Sequence, residues 1–205
     1  IRKQTGLELD LWMTNKLENT DFKTGYCGIA PEFGKSHVDK LGHFNKLHMI
    51  GYYLKNFATN PGYFNSSLID TFGSFLSYYV LPRGEHLLMF NYLKWDEHTV
   101  ESTLLDTYEW ERSPDFSGTW RIGDGTASFY NYIYLTVGGF TENETFRSNQ
   151  IREGMITREE ALEKIFEENK PRYPSIQWYL DRIGLPYRDA IEVINKIPKR
   201  YATRS

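Results

Sequence analysis

The apolar and polar positions change rhythm along the chain, from a short alternation to sustained helical spacing. Gly6-Leu7-Glu8-Leu9-Asp10-Leu11-Trp12-Met13-Thr14-Asn15 alternates and stops on Thr-Asn, which predicts one strand running into a loop, with no partner strand visible. Residues 19 to 42 are rich in Gly, Asp, Lys and Thr and keep no period, so a long loop is expected there. From His43 the helical period takes over, with Leu47, Ile50, Gly51, Leu54, Phe57 and Ala58 on one stripe that Pro61-Gly62 ends. A second helix carries Leu68, Phe72, Phe75, Leu76 and Tyr79 on its apolar face and closes at Pro82-Arg83-Gly84. Asp96, in Trp95-Asp96-Glu97, can cap a third through about Tyr108, with Val100 and Leu104 facing inward.

Thr126 to Val137 is apolar and aromatic enough for a buried, central helix ended by Gly138-Gly139. Thr157-Arg158-Glu159-Glu160 has the spacing of a capping box, in which the hydroxyl and the carboxylate satisfy orphan amides, and Ala161, Leu162, Ile165 and Phe166 follow as the expected buried face. Two short helices close the chain, one with Ile176, Tyr179, Leu180 and Ile183 before Gly184, the other with Tyr187, Ala190, Ile191 and Ile194 before Pro198. The expected division is a strand-and-loop portion (1–42), a helical region (43–170) and a helical hairpin (171–205).

Composition narrows the class. A 40% apolar, 16% aromatic chain of 205 residues has enough material for a substantial core. No run approaches the roughly 18 apolar residues of a membrane span, and Ile1-Arg2-Lys3-Gln4 leads into no signal core, so no membrane association is expected. One cysteine, Cys27, permits neither an internal disulfide nor a CxxC knuckle and suits a reducing, cytoplasmic setting. The sequons at Asn65 and Asn143 carry weight only in a secreted protein. Net charge is −3, with 13 basic and 18 acidic groups over residues 1–150 and 11 and 9 over 151–205. Neither part is strongly basic, which argues against a duplex nucleic acid partner.

The strongest chemical candidate is Thr119-Trp120-Arg121-Ile122-Gly123-Asp124-Gly125-Thr126, where an arginine and an aspartate flank glycines just before a predicted helix start. Gly123 and Gly125 let backbone amides approach an anion, Thr126 and the helix end add donors, Arg121 can clamp a carboxylate or phosphate, and Asp124 can hold Mg²⁺ or orient a nucleophile. A tight Gly-Asp-Gly turn with Thr126 as cap and Arg121 in an ion pair describes the same residues equally well. The second candidate is Asp21-Phe22-Lys23-Thr24-Gly25-Tyr26-Cys27-Gly28, just after the predicted strand. There Lys23 and Thr24 suit phosphate, and Asp21 a base or metal ligand, although a solvated loop is the plainer reading. Gly28-Ile29-Ala30-Pro31-Glu32-Phe33-Gly34-Lys35-Ser36 ends like a phosphate-binding Walker loop but has five residues between its glycines where four are needed. The histidines at 37, 43, 48, 86 and 98 fit no zinc spacing, and Cys27 has no base near it in sequence.

In order and spacing, Asp21-Phe22-Lys23-Thr24-Gly25, Trp95-Asp96-Glu97, Tyr108-Glu109-Trp110-Glu111, Thr119-Trp120-Arg121, and Arg147-Ser148-Asn149-Gln150-Ile151-Arg152-Glu153-Gly154 through Arg158-Glu159-Glu160-Ala161-Leu162 resemble the C-terminal half of the N-acetyl sugar amidotransferase group. That group belongs to the PP-loop ATP pyrophosphatases, with the synthetase domain of asparagine synthetase. The resemblance spans most of residues 10 to 170 and is most specific from Arg147 onward. It implies an α-rich α/β fold, in which the end of a PP-loop nucleotide-binding domain with one or few strands leads into a mainly α-helical region. It further implies an ATP- and Mg-dependent reaction in surface polysaccharide biosynthesis. AMP is transferred to a sugar or nucleotide-sugar oxygen, and ammonia from a glutaminase subunit displaces it. On that reading Lys23 and Arg121 neutralise phosphate or adenylate charge and Asp124 assists Mg²⁺ or substrate.

The family's Ser-Gly-Gly-x-Asp-Ser loop is not in this chain and is expected to precede Ile1, and Gly123-Asp124-Gly125 stands where members carry a Ser-Asp-Cys-type sequence. Two other classes stay open. One is a non-catalytic binding or dimerisation module, a homo-oligomer built on aromatic-rich helices. The other is a PP-loop enzyme that modifies tRNA.

Overall fold

The computed structural model describes residues 2–7, 9–18, 20, 22–29, 42–80, 86–111, 114–115 and 125–200. The described chain is mostly helical, with two short parallel strands, and it divides into two compact units. The first comprises Ile1–Thr14 and Thr20–Tyr92; the second comprises Asn15–Asn19 and Leu93–Ser205.

In the first unit a helical turn, α1 (Arg2–Thr5), precedes β1 (Asp10–Trp12), so the strand is shorter than the alternation from Gly6 to Met13 suggests. Its partner, invisible in the sequence, is β2 (His86–Leu88), aligned in parallel with Asp10 opposite His86 and Trp12 opposite Leu88. The Trp12 and His86 rings sit 5.8 Å apart. Parallel strands need a crossover rather than a hairpin. Here it carries α2 (His43–Thr59) and α3 (Ser66–Val80). Asn60 and Pro61 turn the chain between these helices, the Asn60 side chain accepting from the Gly62 amide at 3.1 Å. Phe57 closes the end of α2 among the rings of Tyr53, Tyr63 and Phe64.

The spacing that predicts α2 is present, yet its stripe is not buried within the unit. Phe44 is 89% exposed, and Leu47, Ile50 and Leu54 are exposed with it; Phe57 alone of the expected stripe is half-buried. On α3, Ile69, Phe72 and Leu76 are exposed as well. Periodicity reports that a face is apolar, not that something covers it.

The second unit has two cores. Helices α5 (Thr126–Gly138), α8 (Tyr173–Arg182) and α9 (Tyr187–Lys196) meet around Tyr132, Ile176, Leu180 and Ile194, flanked by Phe129, Tyr179 and Ile191. Full burial of each such side chain contributes roughly 1.5–3 kcal/mol. Tyr132 keeps its hydroxyl satisfied on Asn195 Oδ1 at 2.9 Å, and Gly139, with φ 82°, ends α5. The expected central helix is therefore present and packed.

The other core joins Leu17, Phe146, Trp95 and Met155. Leu17 comes from a short 3₁₀ turn, Lys16–Glu18, that lies along α6 (Glu142–Arg152), a helix the apolar pattern does not reveal. Thr141 and Glu144 close a capping box at its start, as Thr157 and Glu160 do for α7 (Arg158–Glu168). On α7 Ala161 is buried and Ile165 half-buried, but Leu162 and Phe166 are exposed, so only part of its expected face is covered. Asp96 caps α4 (Glu97–Ser102) by accepting from the Thr99 amide at 2.9 Å, and the helix continues as a wider π turn over Thr103–Thr107.

Candidate functional site

Of the residues singled out by chemistry, Asp21, Arg121, Gly123 and Asp124 lie outside the described residues. Lys23 and Thr24 lie in the first unit, Gly125 and Thr126 in the second.

Lys23 and Thr24 sit on a 3₁₀ stretch, Phe22–Cys27, pinned by buried Phe22 and Ile29 at either side. The Thr24 carbonyl accepts from the Ile29 amide at 3.2 Å, and Gly28, at φ 79°, reverses the chain with its backbone toward His48. Lys23 is exposed and Thr24 half-buried, so the turn presents its lysine to solvent. Cys27, half-buried, does have a titratable neighbour that sequence distance hides. Burial first, and then the Cys27 charge and hydrogen bond, push the Tyr53 hydroxyl above its ordinary value of 10.

Gly125 is buried and takes φ 80°, and it, not Thr126, occupies the N-cap position of α5. A Cβ built there would stand 2.6 Å from the Ser175 carbonyl oxygen and 2.7 Å from Tyr179 Cβ. The place a side chain would take at Gly125 is filled by α8, so close helix packing requires a glycine at this point. Thr126 follows as the first helical residue, and the Phe129 amide closes the first turn on the Gly125 carbonyl at 2.9 Å.

The densest polar arrangement among the described residues lies away from the segments that residue chemistry points to, around Arg147. Arg147 is 1% exposed, yet all five of its N–H donors have acceptors. Nε donates to Glu168 Oε2 at 3.1 Å, and Nη2 donates to Glu168 Oε1 and, at 2.9 Å, to Glu97 Oε1. Nη1 donates to Glu97 Oε2 at 2.5 Å and to Gln150 Oε1 at 2.7 Å. Gln150 Nε2 completes the ring on Glu97 Oε2 at 3.2 Å. Burial drives the Glu97 carboxyl upward, but the Arg147 bonds and charge, with Gln150, outweigh it and hold the group below 4.5. The guanidinium is likewise pushed down by burial and raised more strongly by its two carboxylates. With every donor engaged and no exposed face, Arg147 has nothing left for a substrate anion, and it works as the tie among α4, α6 and α7.

A second polar layer adjoins it. Asn143 Nδ2 donates to the Glu168 carbonyl and to Asn169 Oδ1, Asn169 Nδ2 donates to Glu144 Oε1, and the Glu142 amide donates to Asn131 Oδ1 from α5. The sequence signal for both layers is a helical one, 143, 146, 147 and 150 on one face of α6, but written mostly in polar residues.

Among the described residues no three His, Cys, Asp or Glu side chains gather to hold a metal ion, and no helix is long and apolar enough to cross a membrane. No protein-family model, curated protein or solved structure matches the chain.

Proposed function

We propose that this chain is the C-terminal part of a cytoplasmic, PP-loop, ATP-dependent amidotransferase acting on a sugar or nucleotide sugar. One observation carries the reading. Two of the segments that bear the resemblance, far apart in sequence, become neighbours: Trp95 meets Phe146, the residue before the second segment, edge-on at 5.5 Å, and Glu97 of the same tripeptide clasps Arg147. The helix begun by the Arg158-Glu159-Glu160-Ala161-Leu162 segment supplies Glu168 to the same knot. Their meeting on one buried arginine is what supports reading these segments as parts of one unit. The parallel β1–β2 pair with its helical crossover also suits the late strands of an open nucleotide-binding sheet.

In this reaction a substrate oxygen attacks the α-phosphorus of ATP and pyrophosphate leaves. Ammonia from a glutaminase subunit then adds to the activated carbon, AMP departs with the oxygen, and the nitrogen sheds a proton. ATP and Mg²⁺ supply the activation. The described residues do not themselves assemble a magnesium site, so no step is assigned to the metal from this chain. Exposed Lys23 suits charge neutralisation on the nucleotide, Arg121 on the adenylate, and Asp124 orientation of the substrate. The test is release of AMP and pyrophosphate by the full-length protein from MgATP, ammonium chloride and a set of UDP-N-acetyl sugars. Turnover that Arg121→Ala abolishes without unfolding the protein supports the reading; turnover undiminished in Arg121→Ala removes the proposed site, and no AMP from any acceptor sinks the reaction.

The exposed faces of α2 and α3 favour a second reading, a non-catalytic binding or dimerisation module. Phe44, Leu47 and Leu54 on one helix and Ile69, Phe72 and Leu76 on the other leave two apolar stripes uncovered within their unit.

A further inference from the structure

Helix α2 and the turn after it carry no acidic group: no Asp or Glu occurs from Gly42 through Ile69, although acids outnumber Lys and Arg 27 to 24 over the whole chain. On α2 the exposed Phe44, Leu47, Ile50 and Leu54 form one stripe. At the angular spacing of a helix, Lys46 and Lys55 lie about 90° to either side of its centre. The turn adds Tyr63 and Phe64, both exposed. On α3 the exposed Ile69, Phe72 and Leu76 share a face, and the opposite side is small and polar, with Ser67, Asp70, Thr71 and Ser74. Asp70 is the one charged residue in the sequence of that helix, and it lies away from the apolar face.

A second copy of the chain is a poor cover for the α2 stripe. Protein interfaces are depleted in lysine, and pairing α2 with itself about a twofold axis sets the lysines of one copy against those of the other, with no carboxylate on the helix to answer them. A lipid surface meets both features together. The headgroup–acyl boundary takes the apolar stripe, and anionic headgroups take the lysines, whose stems run beside the apolar surface while the ammonium groups reach outward. Exposed Tyr63 and Phe64 suit the same boundary. With 17 and 15 residues, α2 and α3 are shorter than the roughly 20 that cross a bilayer, so the fitting arrangement is along the surface.

We infer that α2 and α3 form a membrane-interface element that binds anionic phospholipid, α2 through its apolar stripe and flanking lysines and α3 through Ile69, Phe72 and Leu76. The inference is independent of the amidotransferase reading.

The experiment is flotation of the full chain with vesicles of phosphatidylcholine alone and of phosphatidylcholine with about one-third phosphatidylserine, beside analytical ultracentrifugation without lipid. The unaltered protein should float with the anionic vesicles and stay behind with the neutral ones. Lys46→Gln and Lys55→Gln should each weaken binding about fivefold, the counterpart of about 1 kcal/mol per cation near an anionic surface. Leu47→Gln with Leu54→Gln, and separately Ile69→Gln with Phe72→Gln, should weaken it at least about tenfold. All these positions leave the buried core untouched, and unchanged circular dichroism confirms that each variant keeps its helices. No flotation with anionic vesicles overturns the inference, and an oligomer in solution that ignores lipid assigns the face to a second copy instead. Equal binding to both vesicle types removes the anionic headgroup, and binding undiminished in the Leu47→Gln, Leu54→Gln variant removes α2 as the surface.

Discussion

Arg147 and Glu97 are 50 residues apart in the chain and share two parallel hydrogen bonds, Nη1 to Oε2 and Nη2 to Oε1. The fork of a guanidinium matches the two oxygens of a carboxylate, and Glu168 takes the remaining edge. Removing the cation strands two carboxylates at side chains only 15% and 8% exposed. Arg147→Met should therefore cost about 3–5 kcal/mol of stability, and Arg147→Lys should recover little, because an ammonium cannot serve both carboxylates in the same plane. Urea denaturation read by far-ultraviolet circular dichroism measures both; a loss under about 1 kcal/mol for Arg147→Met contradicts the tie described for α4, α6 and α7.

The same pair sets a pH dependence. The Glu97 carboxyl lies below its ordinary 4.5 in the folded protein, so the unfolded chain binds its proton more readily. Its stabilising contribution is present above about pH 4.5 and is lost as pH falls through the lower, folded value. In Arg147→Met the cation that outweighs burial is gone, so Glu97 should move up, and acidification from neutral pH should relieve the variant where it weakens the parent. Thermal melts of both proteins between pH 7 and pH 3.5 check the opposite slopes; parallel slopes would show that the carboxylate is not governed by Arg147.

Two left-handed glycines give a controlled comparison. Gly139, at φ 82°, has nothing within 4 Å of the place a Cβ takes, whereas the Gly125 Cβ meets backbone on α8. Gly139→Ala should cost about 1–2 kcal/mol from backbone strain alone, and Gly125→Ala roughly 2–4 kcal/mol because collision adds to it. Equal losses in denaturant titrations would mean that α8 yields to the methyl group.

If the α2 stripe is an association surface, the parent protein should sediment as an oligomer, and Phe44→Glu together with Leu54→Glu should return it to a monomer without loss of helix content. A monomer for both, seen by analytical ultracentrifugation, removes the support for the dimerisation reading.

How far the fold can be read from the chain depends on what each helix buries. The Thr157 capping box was legible because an apolar run follows it, and Asp96 because it precedes a helical period. Thr141 and Glu144 form the same signature, confirmed by the Thr141 amide donating to Glu144 Oε2 at 2.7 Å, yet α6 escapes a search for apolar periodicity. Its buried face holds Asn143, Arg147 and Gln150 beside Phe146, and polarity disguises burial whenever partners are supplied by distant residues. Strand β2 escapes for a related reason, being three residues long and defined by Asp10, Leu11 and Trp12 far upstream. The glycine at 125 is visible in the sequence, but the approach of Ser175 and Tyr179 that requires it lies 50 residues later and has no local signature. The apolar faces of α2 and α3 were legible as faces, while their exposure was not, since a sequence records hydrophobicity without recording its neighbour.

Leu17 has a consequence for the order in which the molecule can be completed. It is 1% exposed, its carbonyl accepts from Asn149 Nδ2 at 2.9 Å, and the five residues Asn15–Asn19 belong to the second unit although the chain on both sides of them belongs to the first. A ribosome adding about 5–20 residues per second makes Leu17 on the order of ten seconds before Phe146 exists to receive it. During that interval the side chain is available to chaperones or to wrong partners. For the same reason a fragment beginning at Leu93 would lack the plug that fills the core around Phe146, and restoring it as a separate peptide spanning residues 10–20 would turn an act of folding into one of binding.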